Sequence, residues 1–499
     1  MFFYLQLNDN PQHNLYAHPL DFSCVLDQFE GKVLKIVRLP LTEEPNSFAK
    51  DDQKWVQTED SEYAPDFQKE MRTDAKPIVV TQPEGTSYKI TRNIVKWQKW
   101  EFHLGYNDRE GPVLYNLTYG GRPTFYRLSL CEMVVPYGDP RAPYHRKAAF
   151  DLGDFGAGPC ANNLQLGCDC LGVIKYFDGY ITTQDGQALK KENSVCLHEQ
   201  DAGIGWKHTN FRTGAVTVVR SRELVIQTIL TVANYEYVFA WVLDQAAGIH
   251  FEVRATGILS TVPISKDIKS TPWGISVTPG CFAPVHQHIF SLRIDPAIDG
   301  YDGTHVSYED TLPMPLDEHN PYGVGYGVYS TKIETSGYFD TDVSKNRVVK
   351  IASKDTKSDV TGKNRAYKLV PAATQLMLAH PESLHQQRAE FADHAFWVTK
   401  HRDDELYAGS DHTNQSRGGH GIRSWAKRNE DLEDKSVLWH TFGFSHSPRL
   451  EDFPVMPCET LRVALKPNGF FDRNPLLDVP GDNKEKNGSV LYDQACCAK

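Results

Sequence analysis

His286-Gln-His288 lies in the stretch C-F-A-P-V-H-Q-H-I-F-S-L-R-I-D, where apolar residues alternate around the pair. Alternation marks a strand, and side chains two apart on a strand share a face with β-carbons about 7 Å apart, close enough to bind one metal ion. A His-X-His pair arises easily by chance in a chain with 19 histidines, so a third ligand has to be found. The segment V-L-W-H-T-F-G-F-S-H-S-P-R-L-E-D offers His446 and, as the competing choice, His440. Three neutral imidazoles suit Cu(II) or Zn(II) and leave positions open for water or oxygen. The plainer role for either histidine is packing, or support of a ligand.

Two further segments could do chemistry. T-V-A-N-Y-E-Y-V-F-A-W, residues 231 to 241, puts Tyr235 and Tyr237 on one face of a strand directly after Asn234. Ordinary β-core packing accounts for this, and so does a phenol that is chemically modified. Phe150-Asp151-Leu-Gly-Asp154-Phe-Gly-Ala-Gly sets a carboxyl group among apolar residues and glycines. Desolvation raises a carboxylic acid's pKa toward neutrality, as a base acting on a carbon acid needs; the alternative is a turn with a capping aspartate. Cys168-Asp-Cys170 has no second Cys or His pair at zinc spacing, which argues against a zinc site.

The elements that must position these groups are mostly strands. Asp21 to Leu39 reads as two short strands around a turn near Glu30-Gly31, inside a partial small α+β N-terminal domain over residues 1–60. A charge-dense linker follows at 61–77. From 78 to 480, short runs of Val, Ile, Tyr, Phe and Trp recur between Gly, Pro and Asp clusters, as expected of a large antiparallel β-sandwich catalytic domain. The fold class is therefore mainly β. One hairpin pairs Tyr237–Leu243 with Ile249–Ala255, and the best helix candidate runs from Pro381 to His394. Residues 481–499 form a polar tail.

Composition removes several classes of function. Forty per cent hydrophobic and 23% charged residues make an ordinary soluble balance. A net charge of −11 without a basic stripe argues against nucleic acid. The N-terminal M-F-F-Y-L-Q-L-N-D-N lacks the basic region of a signal peptide, and no apolar run is long enough for a membrane span. A soluble, non-secreted chain is expected.

Asn234-Tyr235-Glu236-Tyr237 resembles the N-Y-[D/E]-Y signature of the copper amine oxidases, whose first tyrosine becomes topaquinone. Other segments fall in that family's order: Y-R-L-S-L-C-E-M-V-V-P-Y-G-D-P ending near Tyr137, A-A-F-D-L-G with Asp151, C-L-H-E-Q-D-A-G-I-G-W-K-H from Cys196, the H-Q-H pair, and H-S-P-R-L-E-D from His446. The resemblance covers roughly residues 78 to 480. It implies that Tyr235 is the quinone precursor and forms a Schiff base with substrate, that His286, His288 and His446 bind copper(II), and that Asp151 is the catalytic base. It further implies that Tyr137 orients the quinone, that Asn234 restrains it, and that Cys170 and Cys196 form a disulfide. The reaction implied is oxidative deamination of small primary amines with O2 to aldehyde, ammonia and hydrogen peroxide, by a homodimer. The other reading is a β-sandwich binding or structural protein that keeps the fold without turnover.

Departures from the family pattern carry their own expectations. Ala149 stands where many members have an aromatic gate, which resembles the fungal peroxisomal branch and implies a wide channel accepting small aliphatic and benzylamine-like amines. A peripheral divalent-cation site is expected to be weakened or absent: Asp295 stands at one of its positions, but Pro296 and Lys435 replace favourable neighbours, with Asp299 and Asp434 as nearby alternatives. Of the two small domains that usually precede the large one in relatives, a fragment of the second is expected in residues 1–60. The branch resemblance implies a peroxisomal location, with the cytoplasm as the alternative, although the C-C-A-K ending lacks the leucine of a peroxisomal address.

Overall fold

Alternating burial along Tyr235–Asp244 shows how the sandwich is built. Tyr235, Tyr237, Phe239 and Trp241 point inward, while Ala240 and Val242 pack with Val225 on the other face. A one-residue slip would turn the inner set outward. Each large apolar side chain so exposed would forfeit about 1.5–3 kcal/mol of burial, which fixes the register.

The computed structural model describes residues 2–7, 9–44, 61–372, 374–433, 435–481 and 486–492. Two ten-stranded antiparallel sheets face one another. Tyr235–Asp244 lies inside the first sheet between Val216–Val232 and Ile249–Gly257, and Met456–Asn468 follows next to Ile249–Gly257. His286–Pro296 lies inside the second, between Arg122–Pro136 and Ser436–His446. Phe239 meets Phe290 edge-on at 5.9 Å and Phe251 meets Phe442 at 6.4 Å, so aromatic contacts join the sheets.

The predicted hairpin forms, with the Asp244 carboxylate accepting from the N–H groups of Ala246 and Gly248 at 2.8 and 2.7 Å. The predicted long helix is divided. An α-helix spans only Leu384–Arg388, capped by Ser383, and a 3-10 turn follows at Glu390–Asp393. Ala389 leaves helical geometry because Phe391 and Ala392 turn into an apolar cluster with Trp397 and Trp439.

The N-terminal unit is a three-stranded sheet, Phe2–Tyr4, Pro19–Asp27 and Lys32–Arg38, with a single 3-10 turn at Leu15–Ala17. No α-helix occurs there among the described residues, so the α part of the expected α+β unit is not seen. The linker's first residues belong to this unit: Asn14 donates its side-chain amide to the Ser61 carbonyl at 2.8 Å, and Ala64 is buried. Asp434, the C-C-A-K ending and most of the tail lie outside the described residues.

Candidate metal centre and active site

Strand pairing assembles the histidines. His286 and His288 share the inner face of one strand, and His446 is the residue directly opposite His286 on the neighbouring strand. Their ligand atoms lie within 4.8 Å of one another, and all three rings are buried. Among the described residues this is the only group of three or more His, Cys, Asp or Glu side chains that could hold one ion.

Each ring is oriented by a separate partner. The Pro284 carbonyl meets His286 Nδ1 at 2.9 Å, the Tyr237 hydroxyl meets His288 Nδ1 at 2.9 Å, and Asp452 Oδ2 meets His446 Nε2 at 2.9 Å. That leaves His288 Nε2 and His446 Nδ1 buried without a partner, while His286 Nε2 faces the Tyr235 hydroxyl at 2.7 Å. Unpartnered buried nitrogens are costly, and oriented neutral imidazoles are the donor set that copper takes. Burial and then the neighbouring rings push His286 well down and His288 down to about 3, so both stay neutral. The residues present fit a copper ion.

His440, the competing third ligand, is held elsewhere. Its Nδ1 meets the Ala395 carbonyl at 3.0 Å, its ring stacks on Phe396, and burial lowers its pKa to about 4.

Tyr235 comes from the opposite sheet, and burial raises its phenol well above the ordinary value. Asn234 precedes it, with its amide bonded to the Ile258 carbonyl. The chain crosses here at close range: Gly257 has φ +98°, and a β-carbon on it would stand 2.6 Å from the Asn234 carbonyl oxygen and 3.0 Å from the Tyr235 α-carbon. Tyr137 stacks on His286 with centroids 4.9 Å apart. The Lys147 ammonium group lies 4.0 Å from the Tyr137 ring centre and donates to Ser260.

Asp151 opens a π-helical turn, Asp151–Phe155, immediately after the short strand Ala148–Phe150. Burial, followed by the Glu132 and Asp154 carboxylates, raises its carboxyl group well above the usual range. Burial, and after it the Asp151 carboxylate, raises the phenols of Tyr137 and Tyr237. Ala149 is half-buried next to it.

Cys170 and Cys196, expected as a disulfide, stand as free thiols in one small apolar cluster with Leu164. Asp295 is fully buried, 2.9 Å from His401 and 3.3 Å from Arg293, while Asp299 pairs with Arg122 at 2.8 Å. Lys435 lies over the Tyr126 ring. Sequence reasoning missed the ring-orienting roles of Asp452 and Tyr237. Asp452 closes the H-S-P-R-L-E-D segment, and an acid just past a candidate ligand was the available signal.

The family described as copper amine oxidase, enzyme domain, matches residues 89–486. Copper amine oxidase 1 of Aspergillus niger is 46% identical over 503 residues, spanning 98% of this chain and 74% of the relative. The peroxisomal primary amine oxidase of Pichia angusta is 38% identical, spanning 97% and 73%. Among solved structures, a copper-containing benzylamine oxidase from Hansenula polymorpha superposes with a TM-score of 0.93 at 46% identity, covering 96% of this chain and 76% of that one. Among the described residues, no helix is long and apolar enough to cross a membrane.

Proposed function

The chain belongs to the copper amine oxidase family, and on that premise we propose that His286, His288 and His446 hold copper(II), that Tyr235 is the topaquinone precursor, and that Asp151 is the base. The activity is oxidative deamination of primary amines, with O2 as the electron acceptor. The observation that carries the site assignment is the contact between the Tyr235 hydroxyl and His286 Nε2 at 2.7 Å, beside two imidazole nitrogens with no other partner.

When present, copper favours phenolate on Tyr235 and the quinone supplies a carbonyl electrophilic toward a primary amine, together carrying the redox chemistry. The chain's own residues bind, orient and move protons. Asp151, desolvated among apolar residues, takes the α-proton of the bound amine; a cationic substrate nitrogen beside it lowers its pKa again and favours the ionised form. Tyr137, stacked on His286, orients the residue at 235. Asn234, pinned to the Ile258 carbonyl, limits movement of the residue that follows it. Tyr237 and Asp452 set which nitrogen of His288 and His446 faces the metal.

Ala149 is a small residue two before the base, where an aromatic side chain would narrow the channel beside the quinone, which supports small aliphatic and benzylamine-like substrates; the Hansenula polymorpha structure is that of a benzylamine oxidase. A homodimer fits the exposed strand Tyr326–Lys332 of the hairpin it forms with Thr304–Pro313, where Tyr322, Val324, Tyr326 and Val328 at and beside the tip face outward. Relatives named peroxisomal, in Pichia angusta and Nicotiana tabacum, support a peroxisomal location.

The deciding experiment incubates metal-free protein with Cu(II) in air. A pink chromophore, a phenylhydrazine adduct on the peptide containing Tyr235, and amine-dependent peroxide release are expected. A protein that binds copper yet stays colourless and releases no peroxide would overturn the site assignment and favour a binding module.

A further inference from the structure

We propose that Arg388 is a positioning residue for the catalytic turn, its guanidinium tying together the chain on both sides of Asp151 and thereby fixing where that carboxyl group stands. The inference rests on Asp151 being the base.

Arg388 ends the short helix Leu384–Arg388, which belongs to neither large sheet. Its side chain is nearly buried, at 12% exposure. Before Asp151, it donates to the Ala148 carbonyl at 3.2 Å and lies 4.8 Å from the Phe150 ring centre. After Asp151, it stands 3.6 Å from Asp154 Oδ2. Its remaining donors reach the Thr413 and Ser416 carbonyls, each at 3.1 Å.

The turn is therefore bolted to the 413–416 segment. Thr413 adds a second tie, its hydroxyl donating to Asp154 Oδ1 at 2.7 Å, and Gly153 packs so closely on Thr413 that a β-carbon would stand 2.2 Å from the hydroxyl oxygen. On the opposite side the Gly153 N–H donates to Glu132 Oε1 at 3.0 Å, and Glu132 is itself paired with Arg109 at 2.7 Å.

A single side chain with three carbonyl acceptors and a ring beneath it uses the fixed fork of guanidinium, which an ammonium group reproduces only in part. Its position matters for rate. A π-helical turn is a rare, locally strained element often found at functional sites, and a shift of about 1 Å in a catalytic group can cost about a hundredfold.

The test compares Arg388→Met and Arg388→Lys with the unaltered chain. In the copper-free, unprocessed protein, Arg388→Met should speed amide hydrogen exchange in residues 148–156 while peptides from the strands bearing His286, His288 and His446 keep their protection. After loading with copper, its phenylhydrazine titre should be unchanged, kcat should fall by about 10- to 100-fold, and KM should move far less. The deuterium isotope effect with α-deuterated benzylamine should grow, and Arg388→Lys should recover part of the loss. If Arg388→Met does not fold, Thr413→Val, which removes only the hydroxyl on Asp154, should give the same local exchange change in milder form. Unchanged exchange in residues 148–156, or a loss spread over the whole chain with no rescue by lysine, would overturn the proposal. An unaltered chain that never oxidises amines would instead overturn the reading of the site and leave the exchange result to judge the clamp.

Discussion

The Tyr235 phenol and the His286 imidazole meet between the two sheets, oxygen to Nε2 at 2.7 Å. A phenol at that distance from a candidate ligand's donor atom contacts the metal position without being needed to form it. Tyr235→Phe should bind Cu(II) within a few-fold of the unaltered affinity, measured by calorimetry on the metal-free protein, yet develop no chromophore in air. Loss of copper binding in this variant would mean that the phenol is itself an obligatory ligand.

Asp452 touches His446 on the nitrogen away from the other two rings, and Arg449 touches Asp452 in turn. Removing such a partner typically lowers metal affinity by about 10- to 100-fold. Asp452→Asn should do so while the sandwich melts at nearly the same temperature. An affinity equal to that of the unaltered chain would show that the strand alone orients His446.

Asp151→Asn should lower kcat by about 10²- to 10⁴-fold, the usual worth of a positioned base. Burial raises the Asp151 carboxyl, so the base form appears only as pH rises through a value well above that of an exposed aspartate, and kcat/KM should climb across that range. Stability runs the other way. Between the ordinary carboxylate pKa and the raised one, the folded chain holds a proton that the unfolded chain has released, so stability falls as pH rises there. Denaturant titrations at several pH values should show that slope, and Asp151→Asn should flatten it.

Gly257→Ala should destabilise the chain by about 1–3 kcal/mol, because alanine disfavours the φ of +98° and its methyl group would collide with the backbone around Asn234. The displaced segment carries Tyr235, so cofactor formation should slow in step with the loss of stability. Equal rates in both proteins would separate the strand crossing from the placement of the phenol.

Cys170 and Cys196 belong to the same apolar cluster, and Cys196 is fully buried. Exposure to hydrogen peroxide should remove two hydrogens from the pair and block alkylation of both thiols, read by mass spectrometry of the peptides. Continued alkylation of Cys196 in the unfolded, peroxide-treated chain would exclude the bond.

Strand identity at His286–Pro296 and Tyr235–Asp244 was legible because period-two alternation follows directly from pleating. The neighbours were not. That His446 stands opposite His286 depends on the pairing of strands far apart in the chain, and no local pattern encodes it; the segment offered His446 with His440 as its rival, and the likeness to a family supported His446. The same holds for Tyr237, whose hydroxyl reads as core packing until His288 is found 2.9 Å away. The Pro381–His394 periodicity indicated a helix, but Leu384 is left exposed and the pull of Phe391 into a separate cluster ends the helix at Arg388. The π-helical turn at Asp151 had no sequence signal beyond its glycines.

The direct pairing of His286 with His446 makes the donor set a property of the assembled sandwich rather than of any peptide. An unfolded chain retains only the local His-X-His couple, so copper discriminates between the two states and shifts the folding equilibrium by an amount that grows with the logarithm of its free concentration. Bound copper per chain then becomes a census of how many molecules in a preparation have completed their strand pairing.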